Sequence, residues 1–226
     1  MKGLNSNQLK CIAMITMTVD HVGLMLFPRL LILRIIGRLA FPIYAYMIAE
    51  GCIHTRSLPR YLLSLGSMGF VCQLVYFFAM GSLYQCIMVT FSLSVALYMA
   101  LRWAAGKGFL GKLVAGAALL AALFLTEGLS YLLKGTDYAV DYGFIGVILP
   151  VALALCSNSR QRLWIAAILL GLKAALGMEI QWFSLLAIPV LALYNGSRGS
   201  RNLKWLFYGY YPVHLAVIQG LVLLGF

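Results

Sequence analysis

Apolar residues run in long blocks parted by short polar stretches, at about 9–27, 31–53, 59–80, 85–103, 109–133, 140–157, 161–176, 180–194 and 205–225. A helix needs roughly 20 apolar residues to cross the hydrocarbon of a bilayer, and most of these blocks approach that length. With no water to satisfy backbone groups in lipid, helix is the structure such blocks must adopt. The pattern therefore predicts an all-α, polytopic integral membrane helical bundle of about nine transmembrane helices, eight to ten as the range. Two blocks, 161–176 and 180–194, are short, with Lys173, Gly177 and Glu179 between them, so half-membrane or tilted helices are expected there. Small residues such as Gly111-x-x-x-Ala115 suit close helix packing. No internal repeat or soluble segment interrupts the pattern, and residues 1–226 read as a single domain.

Composition supports the same class. Hydrophobic residues make up 63% of the chain and charged residues only 10%, against about 25% charged in soluble domains. The net charge of +11 is distributed in a way that reports topology. Lys2 and Lys10 precede the first helix, and Arg56 and Arg60, then Arg102, Lys107 and Lys112, then Arg160 and Arg162, then Arg198, Arg201 and Lys204 fall on alternate inter-helix connections, all on one side. The opposite loops hold only Arg29, Lys134 and Lys173, while Arg34 and Arg38 sit inside the second block. By the positive-inside rule the N-terminus is cytoplasmic, which makes the chain a multi-pass protein of the inner (cytoplasmic) cell membrane. No basic recognition helix or aromatic-interleaved basic strand is present, so the bilayer and anionic small molecules are the expected partners and nucleic acid is not. Cys11, Cys52, Cys72, Cys86 and Cys156 are scattered without metal-ligand spacing, and no metal site is expected. The basic-then-apolar start lacks a small-residue cleavage site and reads as a retained first helix.

Candidate chemistry begins at Thr18-Val19-Asp20-His21-Val22-Gly23, an acid and an imidazole inside the first apolar block. A carboxylate at mid-membrane costs roughly 3 kcal/mol on insertion scales, so such residues usually serve a site. His21 lies eleven residues beyond Lys10 and His214 ten beyond Lys204, about 16 and 15 Å in at 1.5 Å per residue. The two histidines thus reach a similar depth on different helices. Asp20 and His21 are adjacent, so their side chains diverge by about 100° and do not form a simple dyad. Arg34 and Arg38, one turn apart in the outer half, are the expected partners of Asp20; snorkelling to headgroups is their alternative role. At the outer mouth, Asp137, Tyr138, Asp141 and Tyr142 precede a helix, where acids also serve as caps. Glu50 and His54 flank the inner end of the second block beside Arg56. The last block opens Phe207-Tyr208-Gly209-Tyr210-Tyr211-Pro212-Val213-His214, combining an aromatic belt with a proline that frees backbone carbonyls below His214.

Taken in order, these stretches resemble the TraX family. The matching residues are Leu9-Lys10-Cys11-Ile12-Ala13, Asp20-His21-Val22-Gly23, Gly37-Arg38-Leu39-Ala40-Phe41-Pro42, Glu50-Gly51, Thr55-Arg56-Ser57 and Tyr61. They continue with Asp141-Tyr142-Gly143, Gly146-Val147 and Phe207-Tyr208-Gly209-Tyr210-Tyr211-Pro212-x-His214-Leu215. That family is named for a conjugative pilin acetylase and is similar to multi-spanning membrane acyltransferases. The resemblance implies transfer of an acetyl or acyl group from cytoplasmic acetyl-CoA, the co-substrate, to an amine or hydroxyl of an envelope component or pilin-like peptide.

Acyl transfer needs a base, donors for the developing oxyanion, and cations for the coenzyme A phosphates. His21 or His214 is the candidate base, with Asp20 holding the site together. Arg38, Asp141, Tyr142 and Tyr211 are the candidates for the acceptor, and Arg56, Arg60 and His54 for acyl-CoA. A direct transfer and an acyl-histidine route both remain open. The competing class is a proton-coupled transporter in which Asp20, His21 and His214 form a relay. A non-catalytic scaffold would leave the midplane charges without a role.

Overall fold

A computed structural model describes residues 3–177, 179–200 and 204–225. Lys2 and Arg201, counted above among the inner cations, lie outside the described residues, as does the Lys204 side chain. Each apolar block carries helix. The elements are α1 (Ser6–Met25), α2 (Leu31–Gly37), α3 (Ala40–His54), α4 (Leu58–Met80), α5 (Ile87–Ala104) and α6 (Gly108–Leu123). A π-turn (Phe124–Gly128) leads into α7 (Leu129–Leu132), followed by α8 (Gly143–Leu155) and α9 (Ser159–Leu176). A 3₁₀ segment (Glu179–Leu186) runs into α10 (Ala187–Ala192), and α11 (Lys204–Leu223) follows. No strand occurs among the described residues, only isolated bridges between Leu4 and Tyr194 and between Gln85 and Val140.

Four stretches are long and apolar enough to cross a membrane: Leu31–His54, Leu58–Phe78, Ile87–Ala104 and Gly108–Leu132. Shorter apolar helices lie at Gly143–Leu155, Glu179–Ala192 and Gly209–Leu223. The outward apolar surface is what lipid contact requires. Leu63, Phe70 and Phe78 on α4 and Phe109 and Leu120 on α6 all stand exposed, a display that water would not tolerate on this scale. α1 carries Lys10, Asp20 and His21 and is correspondingly more polar.

The chain divides into two compact units, residues 1–47 with 157–226, and residues 48–156. In the first, α1 packs against α2 and α11, and α9 against the 3₁₀ segment and α10. Asn5 caps α1: its side chain accepts from the Gln8 amide at 3.0 Å, and Gln8 Oε1 accepts from the Asn5 amide at 2.9 Å. Tyr46 is buried, edge-on to Tyr194 and beneath the Arg162 guanidinium. The 3₁₀-to-α change precedes Pro189, which has no amide hydrogen to donate and is tolerated in the first turn of α10.

In the second unit α5 is central, packed by α4, α6 and α8. Its Thr90, Phe91, Ser94 and Val95 are buried, facing a core that includes Val147, Leu149 and Leu153 of α8. Gly51 of α3 has no room for a side chain because the Tyr61 ring of α4 occupies that place.

In the first unit α1 and α2 approach closely through glycines. Gly23 faces Leu33 and Gly37 faces Asp20, so the two helices run antiparallel through glycine contacts. A Cβ on Gly37 would strike the Asp20 carboxylate. Gly37→Ala is expected to destabilise the protein by about 1–3 kcal/mol, the usual cost of forcing a methyl into a filled site. Thermal unfolding in detergent checks this, and an unchanged transition would show that α1 and α2 are not held that close.

Candidate functional site

Asp20 and His21 leave α1 in different directions, and each meets a different helix. Asp20 faces α2. Its Oδ2 accepts from Arg34 Nη1 at 2.9 Å and from Arg38 Nη2, and Arg34 Nη1 also reaches the Asp20 carbonyl at 3.3 Å. The Arg38 side chain is only 7% exposed and that of Asp20 14%, so this is a buried ion cluster and Arg38 does not snorkel to solvent. Two guanidiniums share one carboxylate. Asp20 Oδ1 is buried with no hydrogen-bond partner among the described residues.

His21 faces α11. His214 Nε2 lies 3.0 Å from His21 Nδ1, and His214 Nδ1 lies 3.0 Å from the Tyr210 carbonyl. A carbonyl oxygen only accepts, so His214 Nδ1 carries the hydrogen. With both rings neutral, the His214 Nε2 lone pair then accepts from His21 Nδ1–H, and His21 Nε2 is left as the basic nitrogen of the pair. The ring centroids are 5.0 Å apart.

Two tyrosines fix His214. Tyr210 stacks on it at 5.2 Å with an interplanar angle of 9°, and buried Tyr211 meets it edge-on at 5.6 Å. The Tyr210 hydroxyl lies 2.5 Å from Thr18 Oγ1, which donates to the Met14 carbonyl at 3.0 Å. With its single hydrogen spent on Met14, Thr18 accepts from Tyr210. Thr18 stands three residues before His21 and Tyr210 four before His214. Matched helical spacing therefore aligns two polar pairs along the α1–α11 contact, and that spacing was the signal by which Thr18 and Tyr210 were discoverable in sequence.

Asp141, Tyr142, Arg56, Arg60 and His54 belong to the second compact unit. Tyr84 donates to Asp141 Oδ1 at 2.7 Å, and Thr90 Oγ1 donates to the Asp141 carbonyl at 2.8 Å. Tyr142 and Gly143 both take left-handed conformations, φ 60° and 58°, a cost accepted by few non-glycine residues. The acids of this region do not cap α8 through Asp141. Glu127, in the π-turn, accepts from the Phe144 amide at 2.7 Å and lies against Gly143 where a side chain would stand. Asp137, fully exposed, accepts from Ser82 Oγ at 2.5 Å and from the Leu83 amide at 2.9 Å, and these donors hold its carboxyl below the usual range. Tyr84 and Glu127 carried no spacing signal, since both come from distant turns. His54 reaches Glu50 at 3.5 Å and is mostly exposed, as are Arg56 and Arg60.

Apolar helices of spanning length, with a buried ion cluster and an imidazole pair inside one of the helical units, define a helical membrane protein with a polar interior site. A profile of the TraX protein family matches residues 5–222, and the chain belongs to that family. It is 27% identical over 240 residues to the "Probable fimbrial assembly protein FimC, serogroup H1" of Dichelobacter nodosus, covering 93% of each chain. A 38-residue stretch is 55% identical to "Uncharacterized protein RP591" of Rickettsia prowazekii (strain Madrid E), covering 17% of this chain and 15% of that one. No solved structure matches.

Asp20→Asn removes the carboxylate charge that Arg34 and Arg38 share and is expected to cost about 3–5 kcal/mol, the range for breaking a buried pair on one side. Denaturation in detergent reads this out. A loss below about 1 kcal/mol, the value of an exposed pair, would mean that water reaches the cluster.

Proposed function

We propose that this protein is an acyltransferase of the inner membrane, moving an acetyl group from cytoplasmic acetyl-CoA to an amine or hydroxyl of an envelope component or pilin-like peptide. The reading includes about nine crossings with a cytoplasmic N-terminus, as block lengths and basic loops suggest. The observation that carries it is the imidazole pair: the Tyr210 carbonyl and His214 hold His21 in the tautomer whose Nε2 can accept a proton. The name of the Dichelobacter nodosus relative agrees with an acceptor of fimbrial type.

In the reaction the acceptor nitrogen or oxygen attacks the thioester carbonyl carbon. His21 Nε2 takes the acceptor's proton as the new C–N or C–O bond forms. The C–S bond breaks, and the departing coenzyme A thiolate takes up a proton, restoring the neutral pair. His214 is a positioning residue and spreads the charge gained by His21. Asp20, occupied by Arg34 and Arg38, fixes α2 against α1 beside that pair. Arg56, Arg60 and His54, exposed at the turn between α3 and α4, supply positive charge for the donor's phosphates. Arg38, Asp141, Tyr142 and Tyr211 remain the acceptor candidates, although Arg38 and Tyr211 are buried and act more naturally through their neighbours.

The linked imidazoles also suit a proton-coupled transporter. That reading fits less well, because the Asp20 carboxylate is turned to Arg34 and Arg38 of α2 while His21 faces His214 of α11, so the acid and the imidazoles point to different helices.

Purified protein in detergent should release coenzyme A slowly from acetyl-CoA. Loss of a general base typically costs about 10²–10⁴ in rate, so His21→Ala should abolish release. His214→Ala should lower it by a smaller factor and shift its pH profile. Proton flux in liposomes without any acetyl-CoA turnover would overturn the acyltransferase reading in favour of the transporter.

A further inference from the structure

The beginning of α1 and the segment before α11 enclose a second cleft, apart from the imidazole pair. Residues 3–6 are zipped to residues 193–197. The Leu4 amide donates to Leu193 at 2.7 Å, the Asn195 amide to Leu4 at 2.9 Å, and the Ser6 amide to Ser197 at 2.8 Å. Beyond this zipper Gly196 and Gly199 turn the chain through left-handed conformations. A Cβ added at Gly199 would stand 3.0 Å from Asn7 Nδ2 and 3.1 Å from Asn5 Oδ1, so a side chain there would crowd both amides. The result is a cleft of about 470 Å³ lined by Asn5, Asn7, Gln8, Cys11, Gly199 and Ser200, with Leu4 and Ile12 as its apolar part.

The charge around this cleft is one-sided. Arg198 adjoins Gly199, and Lys10 is near enough to Arg198 for their like charges to repel. Lys10 Nζ sits 5.2 Å from the Phe207 ring centroid, held by a π face in place of a carboxylate. Neither residues 1–19 nor residues 180–226 contain an Asp or Glu. Two cations adjoining the cleft, with no acid in either segment, suit an anion from outside the chain. The α1 terminus does not supply the recognition, because Asn5 already caps it. The lining offers side-chain amides and a serine hydroxyl, and Lys10 and Arg198 adjoin lining residues in the chain, a set suited to phosphates joined to a polar heterocycle.

We propose that this cleft docks the phosphate-bearing nucleotide end of the acyl donor; the assignment rests on the acyltransferase reading above. The helical rise supports it. The lining residues Asn5 to Ile12 stand 16 to 9 residues before His21 on the same helix, a separation of about 24 to 14 Å at 1.5 Å per residue. The donor's thioester is joined to its phosphates by a long extended arm, so a phosphate site at that remove places the thioester near the imidazole pair. The phosphate role thereby passes to this cleft from Arg56, Arg60 and His54.

The test uses the full chain in phosphatidylcholine nanodiscs and desulfo-coenzyme A, a thiol-free donor analogue. Binding is read by calorimetry and by alkylation of Cys11 with N-ethylmaleimide, followed by mass spectrometry. The wild type should bind, and saturating ligand should slow Cys11 alkylation by about tenfold or more. Arg198→Ala should weaken binding by about tenfold, the value of one charge-assisted contact. Arg198→Lys should keep most of the affinity, and Lys134→Ala, an equal loss of charge, should change it less than about twofold. If the analogue binds but Arg198→Ala is unaffected and Cys11 is unprotected, the donor docks elsewhere; this assignment fails and the acyltransferase reading stands. If the wild type does not bind the analogue at all, both fail. If phosphatidylglycerol nanodiscs protect Cys11 without the analogue, and Arg198→Ala loses that protection, the cleft holds a lipid headgroup and the proposal is overturned.

Discussion

The ion cluster of Asp20 with Arg34 and Arg38 is the constraint on which the first helical unit depends. An uncompensated charge in an apolar interior costs several kcal/mol even after relaxation, so α1 and α2 cannot separate without exposing one. That requirement sets the antiparallel α1–α2 approach, calls for glycine at position 37 where the carboxylate presses, and turns the neighbouring His21 away towards α11. The chemistry proposed for His21 is in this sense a by-product of how Asp20 is satisfied. A carboxylate gripped by two guanidiniums is suited to clamping helices, and the proton chemistry proposed above is assigned to the imidazoles.

The second imidazole gives the first a direction. An isolated histidine in an apolar helix has two interchangeable nitrogens and no defined basic site. The Tyr210 carbonyl fixes one hydrogen on His214, and through it the tautomer of His21. Tyr210 also stacks on His214 and hydrogen-bonds Thr18, so ring orientation and tautomer come from the same residue. Pro212, inside α11 between Tyr210 and His214, removes one backbone donor from this turn.

Much of this arrangement was legible in the sequence because it rests on helical spacing. The divergence of Asp20 from His21, the arginines one turn apart, and the equal depth of His21 and His214 all follow from 3.6 residues per turn and 1.5 Å of rise. What escaped was local breakage of that regularity. Residues 31–53 read as one apolar block, yet the chain breaks between α2 and α3 at Arg38-Leu39, next to the glycine and arginine that serve Asp20. The stretch 109–133 hides a π-turn whose Glu127 caps α8. The acids before α8 looked like caps, but Asp141 is engaged by Tyr84 and Thr90 from elsewhere in its unit. Such contacts depend on turns that bring distant residues together, and no periodicity announces them.

The central claim is that His21 Nε2 is the base because His214 and Tyr210 hold the pair in one tautomeric order. Nitrogen-15 NMR of histidine-labelled protein, assigned with His21→Ala and His214→Ala samples, measures this directly. The account predicts Nδ1–H with a lone pair on Nε2 for both histidines at neutral pH. An Nε2–H tautomer on His214 would reverse the hydrogen bond between the rings, move the free lone pair off His21, and contradict the account.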